Sequence, residues 1–161
     1  MEFTVVLVQH LNRRGIMLSR TAECVCTALK VTVPGEPAVV VLCNCKQCQK
    51  RTGSIFGVSA YFPEQTVSVS GKSKVFTRVS DRGNTVDCHF CPECGTTLFW
   101  DISVVPDEPD PLETNRRGVA IGCFADPTFR SPQLVVWAIY QHHWARFPES
   151  VPTYNRGPTS E

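Results

Sequence analysis

Seven of the nine cysteines in this chain fall into three tight groups, Cys24-x-Cys26, Cys43-x-Cys45-x-x-Cys48 and Cys91-x-x-Cys94. Thiols one or two residues apart can meet at one point from a single knuckle of backbone, and several converging thiolates hold a transition metal. Zinc takes four ligands in a tetrahedron, with each sulfur about 2.3 Å from the ion. Two of the groups can therefore complete one closed four-sulfur site between them. The third offers three sulfurs and leaves one coordination position free.

Cys91-Pro92-Glu93-Cys94-Gly95 is the sharpest of the three signals. Both thiols lie on one side of a tight turn, and Gly95 removes the Cβ where the chain doubles back. A lone C-x-x-C also fits a redox dithiol, but that motif joins a strand to a helix, and Thr96–Trp100 reads as strand. Neither Cys24/Cys26 nor Cys91/Cys94 supplies four ligands alone. One shared structural zinc is the economical arrangement, tying the start of the domain to its middle. Cys43, Cys45 and Cys48 place three thiols within six residues, so an ion there keeps an open position, as catalytic zinc does. A histidine could close it; His10, His89, His142 and His143 are available, and His142 or His143 in that role would remove the case for catalysis. His89 reads as a half-exposed strand position. Cys123 reads as a small buried hydrophobe, and Cys88 lies either beside the Cys91 turn or pointing away from it.

The bulk numbers narrow the function classes. At 161 residues, 42% hydrophobic and 19% charged, the chain fits one soluble domain, burying roughly 70% of its unfolded surface. A net charge of +1 with both signs mixed along the chain gives no basic stripe, which argues against nucleic acid as a partner. No apolar run approaches the ~20 residues of a membrane span. The odd cysteine count and the C-x-C and C-x-x-C spacings favour reduced thiols in the cytoplasm over a disulfide framework. Residues 1–19 read as a non-targeting extension, since Arg13-Arg14 follow the short apolar run Phe3–Val8 instead of preceding it; Met17 is a candidate native start.

The elements that must position these thiols are mostly strands. Short runs rich in Val, Phe and Thr, bounded by Pro, Gly, Asp or Asn, predict strands at Cys24–Val33, Ala38–Cys43, Ile55–Phe62, Thr66–Val69, Lys74–Val79, Thr85–Phe90, Thr97–Asp101, Val119–Phe124 and Gln133–Tyr140. A short helix is expected over Lys46–Arg51, directly after the middle cysteine group. Val105–Arg117, with four acidic residues and three prolines, is expected to be a surface loop, and residues 154–161 a frayed tail. One mainly β domain over residues 20–153 is the expected architecture.

The ordered set of groups, with Cys43-x-Cys45-x-x-Cys48 running into Thr52-Gly53-Ser54 and Phe90 preceding Cys91-x-x-Cys94-Gly95, resembles the glutathione-dependent formaldehyde-activating enzyme family, which also contains centromere protein V. The similarity spans about residues 20 to 152 and includes the late segment Val136-Trp137 through His143-Trp144. The resemblance implies a mainly β, tent-like zinc fold with two ions. The structural one is carried over to Cys24, Cys26, Cys91 and Cys94, and the catalytic one to Cys43, Cys45 and Cys48. It implies a carbon–sulfur lyase that joins a thiol such as glutathione to formaldehyde or another small aldehyde, giving S-hydroxymethylglutathione. Two departures stand out. Thr27 follows the first group where the family usually has glycine, and Asn44 sits between the first two cysteines of the middle group where histidine is common. Backbone N–H groups around Gly53 and Ser54 are candidates to receive the thiol substrate's carboxylate, and Lys46, Lys50 or Arg51 to offset the negative charge of a site holding several thiolates. The alternative is a non-catalytic zinc-binding module for a protein partner.

Overall fold

A computed structural model describes residues 19–103 and 115–158. The expected extension through residue 18, and residues 105–114 of the expected surface loop, lie outside the described residues.

Among the described residues, ten strands and one α-helix follow in chain order. They are β1 (Ser19–Glu23), β2 (Lys30–Pro34), β3 (Val39–Cys43), α1 (Lys46–Thr52), β4 (Gly57–Pro63), β5 (Ser68–Ser70), β6 (Lys74–Val79), β7 (Thr85–Phe90), β8 (Thr97–Ser103), β9 (Arg116–Ala120) and β10 (Leu134–Val136). They form two sheets. The small one is antiparallel in the order β1-β2-β5, and the large one has the order β10-β3-β4-β9-β8-β7-β6. Every pairing in the large sheet is antiparallel except β10 against β3. The fold is mainly β, as expected.

The small sheet covers one face of the large one. Ala22, Val31 and Val33 from the first, with Leu29 of the turn between β1 and β2, pack with Val40, Ala60, Phe62, Leu98 and Val119 from the second. Alternation along the strands sends every other residue to the opposite face, so Ser59 and Tyr61 of β4 look away from this core. On that far side Val39, Val41, Tyr61 and Val136 form one cluster, and Val86, Cys88 and Trp100 form another. Because both faces of β3 are covered, Val39–Leu42 is an unbroken buried run, the pattern of an interior strand. A bulge in β8 interrupts the alternation: His89 pairs Phe99 and Phe90 pairs Thr97. Leu98 is the extra residue, and both it and Phe99 reach the first core.

Three expectations are corrected. Cys24–Val33 is not one strand: β1 ends at Glu23, and Cys24–Leu29 is a turn closed by hydrogen bonds from the Cys24 N–H to Leu29 O and from the Thr27 N–H to Cys24 O, at 3.0 and 2.9 Å. The thiols need that turn, so the knuckle overrides β-propensity. Second, the strands expected at Val119–Phe124 and Gln133–Tyr140 stop at Ala120 and Val136 and continue as 3-10 turns, Ile121–Phe124 and Ala138–Tyr140. Third, the chain is hydrogen-bonded beyond Tyr154: the Tyr154 N–H donates to Val135 O, and its own carbonyl and those of Asn155 and Arg156 accept from Ala138, Ile139 and Trp137. The expected helix forms at Lys46–Thr52, with Cys45 as its N-cap.

One contact fixes the far face. A Cβ built at Gly118 would lie 2.1 Å from Trp100 Nε1, because Gly118 and Trp100 are register partners and the indole occupies the space a side chain there would need. Gly118→Ala is expected to cost about 2–3 kcal/mol through overpacking, read as a lower urea midpoint with a changed tryptophan emission. An unchanged midpoint would show that the indole can leave its seat freely.

Candidate metal centres

The Sγ atoms of Cys24, Cys26, Cys91 and Cys94 lie within 4.8 Å of one another. Two sequence-distant turns bring them there, Cys24–Leu29 between β1 and β2 and Cys91–Thr96 between β7 and β8. The second is closed by the Cys91 N–H to Thr96 O and the Gly95 N–H to Cys91 O, at 3.0 and 2.9 Å, with Gly95 at φ 74°. The first holds Thr27 at φ 61°, a conformation that favours glycine, so the residue that departs from the family pattern carries a small local strain. The turns are stitched together by the Val25 N–H donating to Thr96 Oγ1 at 3.3 Å. Cys24 Sγ stands 3.5 Å from Cys26 Sγ, and Cys26 Sγ 3.6 Å from Cys91 Sγ. Four sulfurs at ~2.3 Å from one ion would be about 3.8 Å apart, so the four thiols fit a tetrahedral ion.

The protonation chemistry points the same way. The Ala28 N–H pulls the Cys26 thiol down, but the neighbouring thiols push it up to about 12. Hydrogen bonds from the Thr96 hydroxyl and N–H bring Cys94 down to about 5. Sulfurs packed this closely cannot all ionise without a cation, and a cation that binds them displaces their protons.

Cys43, Cys45 and Cys48 form the second group, also within 4.8 Å of one another. Cys43 ends β3 and Cys48 lies in the first turn of α1. Between them, Cys45 accepts the Cys48 N–H at 3.3 Å, and the Cys45 N–H reaches Cys43 Sγ at 3.5 Å. The Cys45 thiol pushes Cys43 well up, while hydrogen bonds from Cys43 and Cys45, with help from Arg51, pull Cys48 well down. Among the described residues no histidine, carboxylate or further cysteine brings a ligand atom into this group. His142 instead faces Gln49, with Nε2 to Oε1 at 3.3 Å, and His89 stacks on Phe99 with its Nε2 3.3 Å from Asp101. Asn44 turns away from the sulfurs. It is buried, and both its N–H and its side-chain amide donate to Val136 O, so it anchors the thiol loop to β10.

The three thiols form one wall of a cleft on the far face of the large sheet, facing Tyr61, Trp100 and Trp137. Cys88 lines this cleft, which settles its direction: it looks toward the three-thiol group and not the Cys91 turn. Sequence reasoning missed Ser59, Tyr61, Arg78, Val86, Trp100 and Ile102 as cleft residues. Phe76, Arg78, Val86, Cys88, Trp100 and Ile102 share one face only through strand register, which the pairing of β6, β7 and β8 sets. Gly53 and Ser54 do not line the cleft. The Gly53 N–H caps α1 on Gln49 O at 2.9 Å and the Ser54 N–H donates to Thr52 Oγ1 at 3.2 Å, so both donors are already engaged. All nine cysteines are free thiols, and among the described residues no helix is long and apolar enough to cross a membrane.

A protein of Aspergillus flavus, provisionally named a glutathione-dependent formaldehyde-activating enzyme, is 32% identical over 83 residues, covering 50% of this chain and 43% of that one. A Fusarium vanettenii protein with the same provisional name is 31% identical over 81 residues, covering 50% and 42%. The chain thus spans less than half the length of these relatives. A crystal structure of a Rhodobacter sphaeroides protein superposes with a TM-score of 0.46 at 18% identity, over 64% of this chain and 85% of that one. The sequence profile of one family matches residues 19–140 and takes in both thiol groups: the chain belongs to the glutathione-dependent formaldehyde-activating enzyme family.

Proposed function

We propose that this protein joins a thiol, glutathione or a close relative, to formaldehyde or another small electrophile, as a carbon–sulfur lyase running in the synthetic direction. The observation that carries this reading is the inequality of the two thiol groups. One has four sulfurs and sits between two turns; the other has three and faces a cleft. In this reading Cys24, Cys26, Cys91 and Cys94 hold a structural zinc, and Cys43, Cys45 and Cys48 hold the reactive one. Reduced thiols and a glutathione-dependent reaction suit the cytoplasm.

The reaction is an addition without redox change. The sulfur–carbon bond forms, the carbonyl π bond breaks, and the thiol's proton ends on the new hydroxyl through solvent. Cys43, Cys45 and Cys48 would hold the zinc, which when bound would favour the deprotonated form of an incoming thiol at neutral pH. The chain's own residues do the rest. Backbone N–H groups of Cys45 and Cys48 steady two of the ligand sulfurs. Arg51 places a positive charge beside Cys48, which offsets the charge that a further thiolate would add. Tyr61, Trp100 and Trp137 narrow the space around the reacting atoms.

The test is adduct formation followed by NMR with and without the zinc-loaded protein, at thiol and aldehyde concentrations where the background rate is measurable. Acceleration over background is expected. No acceleration across several thiols and aldehydes would dispose of the reaction.

A further inference from the structure

Among the described residues, no strand pairs with the outer side of β6. It ends the large sheet beside β7, and three of its six residues are large exposed hydrophobics. Val75 is 51% exposed, Phe76 62% and Val79 65%. An open edge carries a row of N–H and C=O groups ready to pair with another chain, and folds blunt it with proline, a bulge or a covering segment. β6 contains no proline, and its register with β7 runs unshifted from Lys74 to Val79.

The hairpin between β6 and β7 fixes which backbone groups point outward. The Ser80 N–H donates to Asn84 O at 2.8 Å, so Ser80 addresses β7. Direction alternates along an antiparallel strand. Lys74, Phe76 and Arg78 therefore also bond to β7, while Val75, Thr77 and Val79 turn their N–H and C=O groups to the open side. Side chains divide with the same period. Phe76 and Arg78, register partners of Cys88 and Val86, stand on the cleft face, and Val75 and Val79 stand on the other.

We propose that a second copy of this chain fills the edge, its β6 running antiparallel to the first across a two-fold axis at Thr77. Thr77 then faces the partner's Thr77 and Val75 faces the partner's Val79. Each pair exchanges two backbone hydrogen bonds between groups that already point outward. Charge selects this register. An axis at Phe76 would set Lys74 against the partner's Arg78, and an axis at Arg78 would set that residue against its own copy. Like charges directly opposite are destabilising. With the axis at Thr77, Lys74 meets the partner's Ser80 and no cation meets a cation. Phe76 meets the partner's Arg78, whose aliphatic stem covers the ring while its guanidinium reaches back to Cys88. The two large sheets become continuous, and the partner's Phe76 joins each three-thiol cleft at Arg78.

Sedimentation equilibrium of the full-length, zinc-loaded protein tests this. A monomer–dimer equilibrium is expected, with a dissociation constant on the order of 10 µM, as suits an interface at the small end of the specific range. Phe76→Arg sets arginine against the partner's Arg78 on both sides of the axis and is expected to weaken the dimer at least ~10-fold. Phe76→Glu sets a carboxylate there instead and is expected to stay within ~3-fold of the parent. Val75→Pro removes an outward N–H that β6 does not use in its own sheet, and is expected to weaken the dimer at least ~10-fold. Ile139→Arg, at an exposed apolar residue outside β6, is the control and leaves the dimer unchanged. Melting temperature and zinc content verify that each variant is folded and loaded. A monomer at every concentration up to ~1 mM, as when another segment of the same chain covers the edge, overturns the proposal. So does a dimer that Phe76→Arg leaves intact or that Ile139→Arg dissociates. Equal weakening by Phe76→Arg and Phe76→Glu would move the axis away from Thr77 and overturn it as well.

Discussion

Cys91→Ser is expected to lower the melting temperature of the zinc-loaded protein by roughly 10 °C, and chelation of the parent protein should shift its transition similarly. The size follows from what the four-thiol group connects. Cys26 and Cys91 are separated by 65 positions, and a cross-link over a loop of that length removes about 4 kcal/mol of unfolded-chain entropy. In a domain of this size each kcal/mol moves the midpoint by roughly 2–4 °C. Cys91 is also fully buried in the main core beside Leu29 and Leu98, so a serine hydroxyl there adds a desolvation cost to the lost ligand. Circular dichroism melts with zinc quantified per chain would check it. A variant that keeps the parent's midpoint would mean that the two turns stay together without an ion.

Cys43→Ser should behave in the opposite way, removing chemistry while sparing the fold. Its group closes a loop of only six residues, for which the same entropy relation gives about 2 kcal/mol at most, and that loop is independently secured. Cys45 caps α1, Asn44 is tied to β10, and Gln49 donates to the Asn44 and Tyr140 carbonyls at 2.7 and 3.1 Å. The expected result is a zinc count falling by one per chain, a midpoint lowered by no more than about 2–4 °C for a loss of ~1 kcal/mol, and adduct formation at the uncatalysed rate. Retained acceleration after loss of one zinc would move the reaction away from this group. Comparing the two serine variants is more informative than either alone, because stability and activity should separate between them.

The departures from the family pattern gain meaning from their surroundings. Thr27 occupies a left-handed turn position, so its effect is local backbone strain in the first knuckle. Asn44 lies between two thiols in sequence but spends its hydrogen bonds on Val136. Its role is to hold the loop against the sheet, and a residue there tunes the site through loop position and not by touching a ligand.

Much of the metal chemistry is legible in the order of the residues, because ligand spacing is a local property. Cysteines at i, i+2 and i, i+3 must converge if the backbone turns, and counting sulfurs divides them into four and three. The helix after Cys45 is readable for the same reason, as is the strand content, since β-branched runs between turn residues depend on near neighbours. The boundaries at Cys24, Ile121 and Trp137 are not, because the pull of tertiary pairing and of the knuckle outweighs propensity there. The cleft is beyond reach for a deeper reason. Arg51, Arg78 and Trp100 come from three elements whose meeting depends on strand order, on the bulge at Leu98 and on the bare backbone of Gly118 that seats the indole. Sequence alone determined which atoms could bind a metal; only the three-dimensional packing decided what faces the open side of the second group, since long-range contact is set by the closure of the sheet and not by adjacency along the chain.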